Sequence, residues 1–167
     1  MSRLYLLRHA KAKWAEPGSR DYDRALELSG RADADNVAAS MLLAGYVPDR
    51  VLCSGAKRAR ETWEVASRHL PVADVRYMDE LYSEDATGYL DIIRGAGGDG
   101  SVLVVGHNPM MEDLAMALSC GGERDALAAV AGGFPTCGLA VIRFSTPLDS
   151  IAPEDGHLEE FVVPRDL

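Results

Sequence analysis

Long apolar runs are missing from this chain of 167 residues. No stretch approaches the ~20 consecutive apolar residues that a membrane-spanning helix needs. The first apolar run, Leu4–Leu7, stops at Arg8, too soon for the apolar region of a secretory signal. These absences predict a cytoplasmic protein with no membrane partner. Cysteine is scarce too. Cys53, Cys120 and Cys137 are an odd number without metal-ligand spacing, so reduced, buried thiols are expected rather than a disulfide framework or a metal centre. Positive charge is in deficit: 17 Lys and Arg face 26 Asp and Glu, a formal net charge of −9. Such a surface repels nucleic acid phosphates and anionic lipid, which argues against nucleic acid as a partner. An anionic substrate needs a local positive site set into that background. Internal repeats and low-complexity segments are also lacking. The length and ordinary apolar share of 47% suit one domain over residues 1–167, expected to be a monomer.

What is present is an alternation of short apolar runs and longer helical patterns. Leu4–Leu7 reads as a strand. A helix is expected from Ser29, a plausible N-cap, to Ala44, with Val37, Met41 and Leu42 at helical spacing and Gly45 ending it. Val51–Leu52 reads as a strand and Ala56–Arg68 as a helix with charge pairs at i,i+4. A short strand, Val75–Tyr77, and a short helix, Thr87–Arg94, come next. Val102–Val105 suits a central parallel strand, followed by a helix with Asn108 as N-cap and Pro109 at its first position. Two strands, Leu139–Phe144 and Glu160–Val163, follow a Gly-rich loop. Alternating strands and helices predict an α/β fold with a mostly parallel sheet. Lys11–Leu28 has no strong periodicity and is long for a connection, which makes it a candidate lid or binding loop.

In an open parallel sheet, ligands bind outside the carboxyl ends of the strands. The first run ends in Arg8-His9. The second ends in Cys53-Ser54 and leads to Arg58. The central run ends in Gly106-His107 before a capped helix. Two arginines and two histidines are therefore expected on one sheet edge. Phosphoryl transfer suits such a set, because its transition state spreads negative charge over three oxygens and catalysis is mostly positioning and electrostatics. Arginine grips two such oxygens at once, a helix N-terminus adds backbone donors, and neutral imidazole is a nucleophile. Fixed cations of this kind call for no metal and no other cofactor. A cysteine-based phosphatase would need Cys-x5-Arg from Cys53, and that position holds Ala59.

These residues resemble a known family. "LYLLRHAKA" is similar to the Arg-His-Gly signature of the histidine phosphatase (phosphoglycerate mutase-like) superfamily. "LCSGAKRARETWE" resembles its Ser-Pro-x-x-Arg-Ala-x-x-Thr motif, with Ser54, Arg58, Ala59 and Thr62 in place, and "VLVVGHNPMMEDLA" its late Gly/Ser-His-x-Pro element. Short length, Ala10 for glycine, and "DYDRALELSGRADA" at an Asp-x-x-Arg-Pro-Leu-Thr-x-x-Gly segment point to the SixA-like phosphohistidine phosphatase branch. The resemblance implies a three-layer α/β/α sandwich. It implies His9 as the nucleophile that becomes phosphorylated, with Arg8, Arg58 and His107 as the phosphate pocket. Ser54, Asn108 and Arg24 are expected to help bind substrate, and Thr136 to be structural.

The departures concern backbone and acid. Ala10 and Gly55 stand where the family pattern has glycine and proline. Phosphoester-cleaving members carry a glutamate after the third strand, where this chain reads "MDELYSEDATG", with Ser83 at the usual position. Glu80 is expected at the rim as the catalytic carboxylate. Alkoxide leaving groups need a proton, whereas imidazole, with its pKa near ~6.5, leaves more readily. The expectation is therefore a metal-independent phosphatase acting on a phosphorylated protein, at phosphohistidine, or on a small phosphorylated metabolite. The alternatives are a small-molecule phosphoesterase or mutase of the same superfamily, and a non-catalytic phosphate-binding module.

Overall fold

Alternate residues of the central strands point to opposite faces, and both faces are apolar, so each strand must be covered on two sides. In a computed structural model describing residues 1–167, helices supply that cover. Strand β1 (Ser2–Arg8) sends Leu4 and Leu6 into one core and Tyr5 and Leu7 into the other. β2 (Arg50–Ser54), β4 (Ser101–Gly106) and β6 (Leu139–Phe144) divide their side chains in the same way. Helices α1 (Leu28–Leu43) and α2 (Lys57–Ala66) cover one face through residues such as Val37, Met41, Ala59 and Trp63. Helices α4 (Ala86–Ala96), α5 (Met110–Leu118) and α6 (Arg124–Ala131) cover the other through Ile93, Leu114 and Val130. The result is the expected three-layer α/β/α sandwich.

Together with β3 (Asp74–Met78), β5 (Ser119–Gly122) and β7 (Gly156–Val162), these strands form one seven-stranded sheet ordered β3-β2-β4-β1-β6-β7-β5. β1 runs parallel to β4, as do β2 to β3 and to β4, and β5 to β7; β6 is antiparallel to both its neighbours. Register fixes the functional edge. Arg8 pairs with Gly106, and Cys53 pairs with Val105, so Arg8, Ser54 and Gly106 end at one level. The adjacent strands β1 and β4 feed helices on opposite faces, and it is beyond the carboxyl ends of such a pair that open α/β sheets form their ligand crevice.

Several elements depart from expectation. α1 begins at Leu28, with Glu27 rather than Ser29 at the cap position. Gly30 is needed there: a side chain would collide with the backbone of Lys11, against which this first turn packs. α5 begins at Met110, although Asn108 still caps it, its Oδ1 accepting from the Glu112 N–H at 3.2 Å. The last strand starts earlier, at Gly156. A four-residue helix, α3 (Glu80–Ser83), and both β5 and α6 occupy segments expected to be loop. The Lys11–Leu28 segment is anchored by an Ala12–Leu26 bridge and holds a 3-10 turn, Asp21–Asp23.

Candidate active site

The crevice floor is built from buried polar residues that follow the strands. His9, Arg58, His107, Ser54 and Thr62 are all buried. Thr62, one turn along α2 from Arg58, accepts from the Ala10 N–H at 2.9 Å and donates to the Arg58 carbonyl at 2.7 Å, locking the backbone after His9 to the helix carrying Arg58. Ala10 has no positive φ, so the residue in place of glycine is unstrained. On the far side, Cys137 N–H donates to the Arg8 and His9 carbonyls, and Arg8 Nη1 donates to the Phe134 carbonyl at 2.9 Å.

The hydrogen bonds assign the imidazole tautomers. His9 Nδ1 lies 2.7 Å from the Ala10 carbonyl, which only accepts, so Nδ1 carries the proton and Nε2 presents its lone pair. Arg58 Nε donates to that lone pair at 3.3 Å. Burial pulls the His9 imidazolium down to about 3; the Ala10 carbonyl opposes this, and the charges of His107, Arg58 and Arg8 add to it. At neutral pH the ring is uncharged. Ser54 Oγ accepts from the Ala56 N–H at 3.2 Å and lies 2.8 Å from His107 Nε2; that nitrogen is the acceptor in reach of the hydroxyl proton, an arrangement that leaves the His107 proton on Nδ1. Burial, then Arg58, lower His107 to about 4, and the nearby Asp21 carboxylate partly opposes them. The rings of His9 and His107 lie 5.2 Å apart between centroids. Two donors of this floor, Arg8 Nε and His107 Nδ1, are buried without any partner in the protein. A buried donor left unpaired costs about 1–3 kcal/mol, which an anion accepting both would relieve.

Above the floor lies a half-exposed roof. Asp21 bridges to Arg58, whose Nη1 donates to its carbonyl at 2.9 Å and Nη2 to its Oδ2 at 3.1 Å. Tyr82 Oη donates to the same Oδ2 at 2.8 Å, and Arg24 Nη1 to Oδ1 at 3.1 Å. Partial burial pushes the Asp21 carboxyl up, but Tyr82, Arg24 and Arg58 outweigh it and hold the group at about 2. The Tyr82 ring meets His107 edge-on and lies under the Arg58 guanidinium. Tyr22 Oη donates to Asp79 Oδ1 at 2.6 Å directly over Gly55, where a side chain would strike both groups. The glycine in place of the family's proline makes room for this contact.

The structure thus brings together Arg8, His9, Ser54, Arg58 and His107. Arg24 joins them only through Asp21; its Nε donates to the Lys13 carbonyl and its guanidinium lies over the exposed Trp14. Asn108 spends its side chain on α5 and on the Phe134 carbonyl, the one that also receives Arg8, so it braces the floor. Thr136 lies in the turn that the Gly138 N–H closes on the Pro135 carbonyl. Glu80 stands apart. It is exposed on a shallow depression with Glu84, Gly88 and Asp91, and no hydrogen bond or ion pair joins it to the floor. The residue of that segment that does reach the floor is Tyr82. Asp21 and Tyr82 were not named from the sequence, although Asp21 opens the Asp-x-x-Arg segment that ends in Arg24 and lies in the long, aperiodic Lys11–Leu28 stretch. Cys53 is buried with its Sγ on the Ser54 carbonyl, and burial pushes its thiol pKa up, consistent with packing rather than nucleophilic use. His69 and His157 pair with Asp35 and Glu123 away from the site.

Comparison with known proteins agrees with this geometry. The sequence model of the histidine phosphatase superfamily (branch 1) matches residues 4–88. An uncharacterised protein of Mycobacterium tuberculosis is 34% identical over 163 residues, covering 95% of this chain and 100% of that one. A crystal structure provisionally described as the phosphohistidine phosphatase SixA from Agrobacterium tumefaciens is 40% identical, with a TM-score of 0.83 and 97% of each chain covered. A protein histidine phosphatase SixA solved with tungstate superposes with a TM-score of 0.79 over 98% of each chain; at 20% identity this likeness concerns the fold.

Proposed function

The chain belongs to the histidine phosphatase superfamily, and from that premise we propose that it is a metal-independent phosphatase that cleaves protein phosphohistidine through a phosphorylated His9. The observation carrying this reading is the convergence of a neutral His9 Nε2 with two buried donors, Arg8 Nε and His107 Nδ1, that lack protein partners. Phosphoryl oxygens accept from both donors while phosphorus faces the lone pair. Nε2 attacks, the bond to the leaving group breaks in line, and the phosphoryl group passes to His9. Water then attacks the phosphoenzyme and releases phosphate. Arg58 Nε, which donates to His9 Nε2 in the resting site, passes that hydrogen bond to a phosphoryl oxygen and so frees the lone pair for phosphorus. Ser54 keeps the His107 proton on the nitrogen that faces substrate, and Thr62 keeps His9 and Arg58 in register. The positive charge comes from arginine, so the scheme uses no metal ion and no other cofactor.

The leaving group departs on the side away from His9 Nε2, and the carboxyl group that stands there, Asp21, is held at about 2 and is ionised at neutral pH, so it has no proton to give an alkoxide. That supports phosphohistidine over an alkyl phosphate, because imidazole leaves with a proton it has already gained. The test is phosphate release at neutral pH, in EDTA, from a phosphohistidine-bearing protein. Wild type is expected to release phosphate, and His9→Ala to release none. Release by both, or by neither, would refute the assignment.

A further inference from the structure

Asp21 is an anion placed against the pocket's own cation, at the mouth of a site that must accept an anion. Its carboxylate is held on three sides, by Arg58 from α2, Arg24 from its own loop and Tyr82 from α3, and its charge reaches His107. Its side chain is 52% exposed while that of Arg58 is 8% exposed, so Asp21 lies between the buried arginine and solvent. A carboxylate there opposes binding of a phosphate dianion by its charge. A group that weakens binding of the reacting anion, yet is fastened by three donors, calls for a role in the other half of the substrate.

In-line displacement supplies the direction. The nucleophile, His9 Nε2, is on the buried side, so the leaving group departs on the solvent side, where Asp21 and Tyr82 stand. We propose that the Asp21 carboxylate accepts a hydrogen bond from the departing ring N–H of phosphohistidine and thereby selects imidazole over oxyanion leaving groups. This rests on the phosphohistidine reading above. In the step itself, the substrate ring has already taken a proton from solvent on its unphosphorylated nitrogen. The His9 Nε2 lone pair forms the new N–P bond, the old P–N pair returns to the substrate ring, and neutral imidazole leaves with that proton still on it. Asp21 gives and takes no proton. It favours the protonated ring on the way from free substrate to transition state, so its effect appears in kcat/KM. An alkoxide or phenolate leaves as an anion and is repelled by the same charge.

The test compares free phosphohistidine with p-nitrophenyl phosphate, whose leaving group departs as an anion without needing a proton. In Asp21→Asn the ratio of kcat/KM for phosphohistidine to that for p-nitrophenyl phosphate is expected to fall about 10- to 30-fold, the scale of one charge-assisted hydrogen bond. Asp21→Glu, which keeps the charge, should restore most of the ratio. If Asp21 served only to hold Arg58, both substrates would suffer alike; an unchanged ratio in a folded D21N variant would overturn this inference alone. A wild type that cleaves p-nitrophenyl phosphate but not phosphohistidine would overturn the substrate reading and this inference with it.

Discussion

The floor and the roof of the crevice are built on opposite terms. The floor is buried and rich in polar groups, and it ends in two donors that nothing in the protein accepts. The roof is half exposed, and its charges already answer one another: Arg24 and Arg58 with Asp21, Tyr82 with Asp21, Tyr22 with Asp79. Burial also moves the titrations apart. Both floor imidazoles are pushed toward their neutral forms, whereas the roof carboxylate is held in its charged form. The floor is therefore complete only with an anion in place, while the roof is complete without one. Function should be concentrated in the floor and tuned from the roof.

After loss of the His9 ring itself, the largest expected effect tests that concentration. Arg8→Ala removes an unpaired buried donor and is expected to lower kcat/KM about 10²- to 10³-fold, the usual loss for one preorganised donor to transition-state charge. Arg24→Ala, which removes a roof cation of the same type, should cost less than about tenfold, because a partly exposed ion pair is screened. Kinetics of the two purified variants on one substrate decide it. Equal losses would erase the distinction between floor and roof.

Acid should dismantle the two layers in sequence. The folded-state pKa values of His9 and His107, about 3 and about 4, lie below the ordinary value of 6.5. Between those limits the unfolded chain binds more protons, so stability rises with pH; the contribution is whole above about 6.5 and is lost as pH falls toward 4 and then 3. Asp21, depressed from 3.8 to about 2, contributes above about 3.8 and loses its share only below that. Tm should fall steadily from pH 6.5 to 4. His107→Gln should flatten that fall by on the order of 3 kcal/mol of pH-dependent stability, and Asp21→Asn should leave it steep. A slope that follows Asp21 instead would place the acid-sensitive charge in the roof.

Thr62→Val keeps the shape of the floor and removes its brace. The Ala10 N–H would be left buried and unpaired, an expected loss of about 1–3 kcal/mol by denaturant melts, with kcat/KM falling as His9 and Arg58 lose register. A variant with native stability and native kcat/KM would show that the brace is dispensable.

Much of the floor was legible in the sequence, for a physical reason. Arg8-His9 and Gly106-His107 interrupt apolar runs that should otherwise be buried, and parallel strands of similar length bring such interruptions to one edge. Ser54, Arg58 and Thr62 were legible through the resemblance of "LCSGAKRARETWE" to a family motif, and they run from the end of β2 into α2. The roof was not, because its contacts join residues 57 and 61 positions apart across segments without periodicity. Glu80 was a sound guess by residue type, but α3 turns it outward and presents Tyr82 instead. β5 was hidden for a related reason. "SCGG" has no apolar run, and it becomes a strand only by pairing at the sheet edge with β7 through an irregular register.

The smallest effect is expected where the roof is furthest from the reacting atoms. Tyr22→Phe deletes the hydroxyl that donates to Asp79 above Gly55 and leaves both ring and carboxylate in place. Asp79 is exposed, so water replaces the lost donor, and stability should change by less than about 1 kcal/mol, with kcat/KM within about twofold of wild type. The ring keeps its edge-on contact with Tyr82, so the phenol that holds Asp21 stays where it is. Thermal melts and kcat/KM on phosphohistidine measure both quantities. A loss above tenfold with an unchanged Tm would mean that the Tyr22–Asp79 contact closes the roof during turnover. The roof would then belong to the chemistry as fully as the floor does.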